Sequence, residues 1–252
     1  QLVSDSILTL KSPAPADYYQ NIFCSVFEFV LARFNGIVDD SIITALQSYL
    51  DASSDAQRLF ARLLTRKGPS FLTASLKYTE VSQLGGAIGE LNDLKLLKIS
   101  SPVPADQLLG LLTKAQILDY FAVPKMVAKF TKGRIIEYVL GEGSDLQIFQ
   151  RCSKYTHWIT LTAPDHWWMI STLYFGNSGQ DWSTFVRRDL GQLAYENVAL
   201  QSQQFTTRQA LQEHQEERFF SSLIYRLNDV PSIAEALLER LTSTTVANQE
   251  SR

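Results

Sequence analysis

Tyr19, Ile22, Phe23, Val26, Phe27, Val30, Leu31 and Phe34 follow one another at the i, i+3, i+4, i+7 interval without a break. That period lines one face of an α-helix, whereas a half-buried strand alternates every second residue. Asp17 stands where a helix N-cap belongs and Asn35-Gly36 where a helix stops. The same reading predicts helices over 40–50 and 54–66, the latter ended by Gly68-Pro69, with Leu59, Phe60, Leu63 and Leu64 as its core face. Arg58, Arg62 and Arg66 recur every fourth residue on another face of that helix, and Lys67 follows them. An amphipathic helix over 81–94 and a short strand at 96–100 complete an order compatible with a winged-helix-like module.

Ser101-Pro102-Val103-Pro104 reads as a linker. Beyond it, Thr113 and Gln116 have the spacing of a capping box, and Thr131 stands before a helix over 132–140. Gly141-Glu142-Gly143-Ser144 reads as a further break. The remainder is rich in Trp, Tyr and Phe, with Asp165 and Asp181 as expected helix caps and a helix from Asp181 ending at Gly191. Helices over 207–227 and 232–241 close the chain. The fold class expected is mainly α and multi-helical.

Charge is segregated beneath a net of −3. Residues 1–60 sum to −4, residues 61–140 to +5 and residues 141–252 to −4. A positive middle between acidic flanks is a surface that attracts anions, nucleic acid being the commonest large one. The alternative is clustering on solvated helix faces. Lys125, Lys129, Lys132 and Arg134 fall in a stretch with no acidic residue from Val123 to Ile136. Lys132 and Arg134 lie in the first turn behind Thr131, where the exposed amides and the helix dipole favour an anion and disfavour cations. A bound phosphate would offset that local cost.

Catalytic chemistry finds little footing. The three histidines, His157, His166 and His214, sit in no metal-ligand spacing, and no Gly-x-Ser-x-Gly elbow occurs. A metal-dependent nuclease of the common form needs Pro-Asp, then Asp or Glu, any residue, and Lys. Pro164-Asp165 has no lysine after it, since the last is Lys154, and Asp93-Leu94-Lys95 has no Pro-Asp before it. No catalytic and no metal-binding residue is therefore expected in this chain. The longest run without Asp, Glu, Lys or Arg covers 15 residues, 166–180, against the roughly 20 a membrane helix needs, so no membrane partner is expected. Cys24 and Cys152 cannot build a disulfide framework, which points to a reducing, intracellular compartment. The chain starts without Met and stops in a polar tail, and is expected to be a fragment.

Three stretches, DYYQNIFCSVFEFVLARF (17–34), AQRLFARLLTRKGPSFLTASLKYTEV (56–81) and LYFGNSGQDWSTFVRRDLGQLAYENV (173–198), resemble the N-terminal half of the Fanconi-associated nuclease family. These enzymes end in a virus-type replication-repair (VRR) nuclease domain, and 106–140 is similar to their SAP module, a helix-loop-helix DNA-binding unit. The resemblance implies three regions. Residues 1–100 would be an N-terminal helical region, 101–143 a SAP-like module, and 144–252 a helical segment leading to a helical-repeat and nuclease part beyond Arg252. It implies a DNA-binding fragment of a structure-specific DNA repair nuclease, acting in interstrand crosslink repair and gripping duplex, branched or 5′-flap DNA by phosphate contacts and shape. The parent would be an enzyme using Mg²⁺ or Mn²⁺ in a nuclease domain that is this chain's partner. No cofactor is expected in the chain itself. Its place would be the nucleoid of a bacterium or the nucleus of a eukaryote.

Carried onto this sequence, Arg62, Arg66 and Lys67 match the family's phosphate-facing run, and Tyr19 and Tyr78 match tyrosines expected near the DNA backbone. Ser75 stands where the family has a lysine. Two other readings remain open from the residues: a helical protein-interaction scaffold and a winged-helix DNA-binding regulator.

Overall fold

The computed structural model describes residues 17–175, 182–189 and 205–227. The long apolar repeat forms α1 (Tyr18–Phe34), with Phe23, Val26, Phe27, Val30 and Phe34 buried. Asp17 holds the N-cap position without bonding the helix amides. Its carboxylate instead accepts from Arg58 Nε at 2.8 Å. Two helices follow, α2 (Asp40–Leu50) and α3 (Ser54–Leu64), and their apolar faces close on α1. The Phe27 ring lies 4.8 Å from that of Tyr49 on α2.

α3 ends two residues before the arginine periodicity does. The Thr65 hydroxyl donates to the Arg62 carbonyl at 2.9 Å and the Arg66 N–H to Leu63 O at 3.1 Å, a tightened last turn. Gly68, at φ +85°, then turns the chain into β1 (Ser70–Leu72), a conformation that favours glycine. α4 (Leu84–Asp93) starts later than the spacing predicts, because Val81 is used in a turn on Tyr78 O. β2 (Leu97–Ile99) follows.

From β2 the chain leaves the sheet and builds α5 (Ala105–Leu111), α6 (Lys114–Phe121), α7 (Lys132–Glu142) and α8 (Asp145–Ser153). Only then does it return as β3 (Trp158–Leu161), which enters between β1 and β2 and pairs antiparallel with both. The sheet is thus closed by a strand that arrives after four helices. Leu72, Leu108, Ile117, Ile135, Ile148, Cys152 and Trp158 share one buried cluster, so the insertion and the sheet have a common core. Burial pushes the Cys152 thiol up to about 11, which keeps it protonated at neutral pH.

Thr113 and Gln116 form the expected capping box of α6. Thr131 sits at the N-cap of α7, but its side chain makes no cap bond. The break expected at 141–144 is narrower: α7 runs through Gly141 and Glu142, and Ser144 with Gln147 makes a second capping box that starts α8. α7 and α8 thereby line one core across the boundary expected near 143. α9 (Pro164–Phe175) begins at Pro164, a residue suited to a first helical position, so Asp165 lies inside the first turn and is not the cap. Trp167 of α9 places its ring 4.8 Å from Phe60. α10 (Trp182–Asp189) brings Trp182 to 5.0 Å from Phe23. Asp181, the stop at Gly191 and the helix expected over 232–241 lie outside the described residues.

A second unit comprises Gly36–Val38 and the segment from Ser202 onward. It contains α11 (Arg208–Leu227), whose first residue donates from its guanidinium to Ile37 O at 3.0 Å and Val38 O at 2.8 Å.

Asp55 ties the start of α3 to the loop before α4. The Gln83 N–H donates to its Oδ2 at 2.7 Å, and Arg58 reaches its Oδ1 at 3.1 Å. The Gln83 amide first, and Arg58 with it, hold this carboxyl below the usual aspartate range. A lowered folded-state pKa means that its stabilisation is complete above the unfolded value of about 3.9 and is lost as pH falls through the folded value. Asp55→Asn should therefore be less stable than wild type at pH 7, and the gap should close on acidification below pH about 4 in urea titrations. A gap independent of pH would show that the carboxylate's charge is not what stabilises this corner.

Candidate nucleic-acid interface

α3 carries Arg58 and Arg62 and the turn after it Arg66, and the structure gives each a different task. Arg58 is consumed by the fold: it binds Asp17, Asp55 and the Glu80 carbonyl. Arg62 is half-buried, with its guanidinium over the Tyr19 ring at 4.3 Å and over the Tyr78 ring at 5.3 Å. Its Nε stands 2.9 Å from Glu80 Oε1 but is not aligned for a hydrogen bond. Arg66 lies beyond the helix, donates to the Tyr78 hydroxyl at 3.0 Å, and stacks 5.0 Å from Phe71. Lys67, next to it, is exposed.

Tyr19, Arg62, Arg66 and Tyr78 therefore form one assembly drawn from α1, α3, the turn after α3 and the loop before α4. Tyr78 accepts from Arg66 and so keeps its own hydroxyl proton to donate. Glu80 is mostly buried, and its charge offsets that of Arg62. Among the described residues no carboxylate lies within ion-pair distance of Arg66 or Lys67. The uncompensated charge of this assembly sits on those two side chains. Glu80 is a member that sequence reasoning missed, since a single acid after a Tyr-Thr pair carries no pattern.

A second set of cations surrounds the loop between α6 and α7. Lys125, Lys129 and Arg134 are exposed. Lys132 is committed differently: its Nζ donates to Gly110 O at 2.7 Å, in the last turn of α5, where a cation also suits the helix dipole. Lys114 does the same for the loop, donating to Phe130 O at 2.7 Å. Arg134 lies 5.9 Å above the Phe130 ring. Because the Thr131 hydroxyl does not cap α7, the first-turn amides take no bond from it. Two exposed apolar residues, Met126 and Phe130, sit among these cations. Ser75, standing where a lysine is expected, is exposed, and its hydroxyl donates locally to Leu72 O at 2.7 Å.

Among the described residues no three His, Cys, Asp or Glu side chains converge as a metal site, and no helix is long and apolar enough to cross a membrane.

Comparison with known proteins adds three findings. A family model described as FAN1, HTH domain, matches residues 17–98. The chain is similar to Fanconi-associated nuclease 1 homologs of Pseudomonas aeruginosa (26% identical over 201 residues) and of Oryza sativa subsp. japonica (30% over 190). These alignments cover 76% and 69% of this chain but 35% and 19% of the relatives, so the chain spans about a third or less of their length. In fold it is similar to the crystal structure of paFAN1 bound to 2-nucleotide 5′-flap DNA with a gap. The TM-score is 0.75 at 24% identity, over 90% of this chain and 42% of that one.

Proposed function

Since the chain belongs to the Fanconi-associated nuclease family, as its N-terminal part, we propose that it is the DNA-gripping half of a structure-specific repair nuclease. It binds branched or 5′-flap DNA by phosphate contacts and shape. The observation that carries this reading is the pair of cation sets, Arg66 with Lys67 and Lys125 with Lys129 and Arg134, none of which has a carboxylate within ion-pair distance among the described residues. Evolutionary kinship supports it, as does the flap-bound state of the paFAN1 structure with the same fold. α5–α7, within 101–143, form the SAP-like module in this reading, and Arg62, Tyr19 and Tyr78 the frame that positions Arg66. Lys132 acts mainly by tying α7 to α5.

Strand cleavage with Mg²⁺ or Mn²⁺ belongs in this reading to the nuclease domain of the whole protein, the chain's partner in crosslink repair. The described residues do not form a cluster that fits such an ion. The working place is whichever intracellular compartment holds the DNA.

Affinity that rests on phosphate contacts falls with salt through release of condensed counterions. Replacing Lys125, Lys129 and Arg134 together by Ala should flatten the slope of log K against log salt by about 2.7, three phosphate contacts at about 0.9 each. Titrations of 5′-flap DNA at several salt concentrations check this. Equal slopes for wild type and variant would remove the loop from the interface.

A further inference from the structure

We propose that Met126, at the tip of the α6–α7 loop, packs against the open face of a base pair where a DNA duplex is interrupted, while the neighbouring cations hold the flanking phosphates. The inference rests on the DNA-binding reading above and names the residue that would recognise the interruption. Met126 is 80% exposed. That exposure is built into the loop: Val123 and Val127 pack inward on the helical core, which leaves the side chain between them and Lys125 pointing away from it. The loop is fixed by Ala128 N–H to Pro124 O and Phe130 N–H to Val127 O, both at 2.9 Å, and by Lys114 on Phe130 O.

An ordered, exposed thioether gains only by leaving water. Its surroundings select the occupant, because exposed Lys125 and Lys129 stand one and three residues from it, exposed Arg134 lies over the Phe130 ring of the same loop, and no acidic residue falls between Val123 and Ile136. An apolar probe with cations in its own loop suits a ligand whose apolar faces lie beside anions, which is the cross-section of stacked bases between phosphates. Methionine is unbranched and polarizable and packs well on aromatic rings, and it is among the residues that proteins wedge against base steps. In a continuous duplex both faces of every pair are covered, and prising a step open forfeits its stacking. At a nick, gap or branch one face is already bare, so contact there has no stacking to break.

The test uses the whole 252-residue chain and two DNAs of equal length at one salt concentration, a continuous duplex and the same duplex with a central one-nucleotide gap. Met126→Ala should weaken binding to the gapped DNA by about fivefold, the low end of what removing one base-stacking side chain costs, and leave continuous duplex unchanged. Met126→Leu should restore most of the loss, and the thermal midpoint should not move. A 2-aminopurine beside the gap should change its fluorescence on binding wild type and much less on binding Met126→Ala. If wild type binds both DNAs and Met126→Ala lowers both equally, or neither, this inference fails alone. If wild type binds neither, the DNA-binding reading fails and takes this one with it. Met126-dependent binding to phosphatidylserine vesicles, with no effect on gapped DNA, would overturn it in favour of a membrane.

Discussion

Trp158→Ala should destabilise the protein by about 3–5 kcal/mol, the range for removing a large buried aromatic side chain. Trp158 is fully buried and pairs with Leu72 across β1 and β3. Its indole N–H donates to Ser101 O at 3.0 Å, and its ring meets Phe149 of α8 edge-on at 5.3 Å. It therefore joins the strand that closes the sheet to the helices inserted before that strand. For a domain of this size the loss should lower the thermal midpoint by about 10 °C or more. Trp158→Phe, which keeps a ring but leaves the Ser101 carbonyl without its donor, should cost less, about 1–3 kcal/mol. Hydrogen exchange gives the sharper check. In Trp158→Ala, amides of α5–α8 and of the sheet should lose protection together. Loss confined to the sheet would mean that the inserted helices keep a core of their own.

An effect on DNA comparable to that of the triple loop variant is expected from Arg66→Ala combined with Lys67→Ala. These two carry the uncompensated charge beside the tyrosines, so binding should weaken on every sequence alike, and the salt slope should drop by about 1.8, two phosphate contacts at about 0.9 each. Arg66 and Lys67 are exposed, so the thermal midpoint should stay close to that of wild type. Arg62→Ala supplies the contrast. It leaves Glu80 mostly buried without its cation and takes the guanidinium from between two rings, so it should unfold more readily and weaken binding mainly by loosening Tyr78 and Arg66. A double variant at 66 and 67 that binds flap DNA with unchanged salt slope would remove this face from the interface.

Local periodicity and capping chemistry were enough to place most helices. α1 and α2 follow their apolar repeats almost to the residue, and Thr113–Gln116 marks the start of α6 because a capping box is satisfied within four residues. The same chemistry at Ser144–Gln147 is equally local, but it stands beside Gly141 and Gly143, whose signal is that of a break. The three-residue strand β1 and the four-residue β3 carry too few positions for a period to register, and β3 exists only because β1 and β2 offer it two edges.

The candidate site divides in the same way. Residue types and spacing were enough to single out Arg62, Arg66, Lys67 and the run from Lys125 to Arg134, since helical recurrence and the lack of acids are properties of the chain alone. Which of those cations keeps its charge for a ligand was decided by tertiary structure. Glu80 reaches Arg62 from 18 positions away, and Gly110 takes up Lys132 from 22. Coulomb attraction and hydrogen bonding act over a few ångströms, whatever the separation in sequence. The sequence by itself therefore determined where most of the helices lie and where positive charge accumulates. The folded chain alone decided that a strand following four helices closes the sheet, and which cations among the described residues remain without a carboxylate partner.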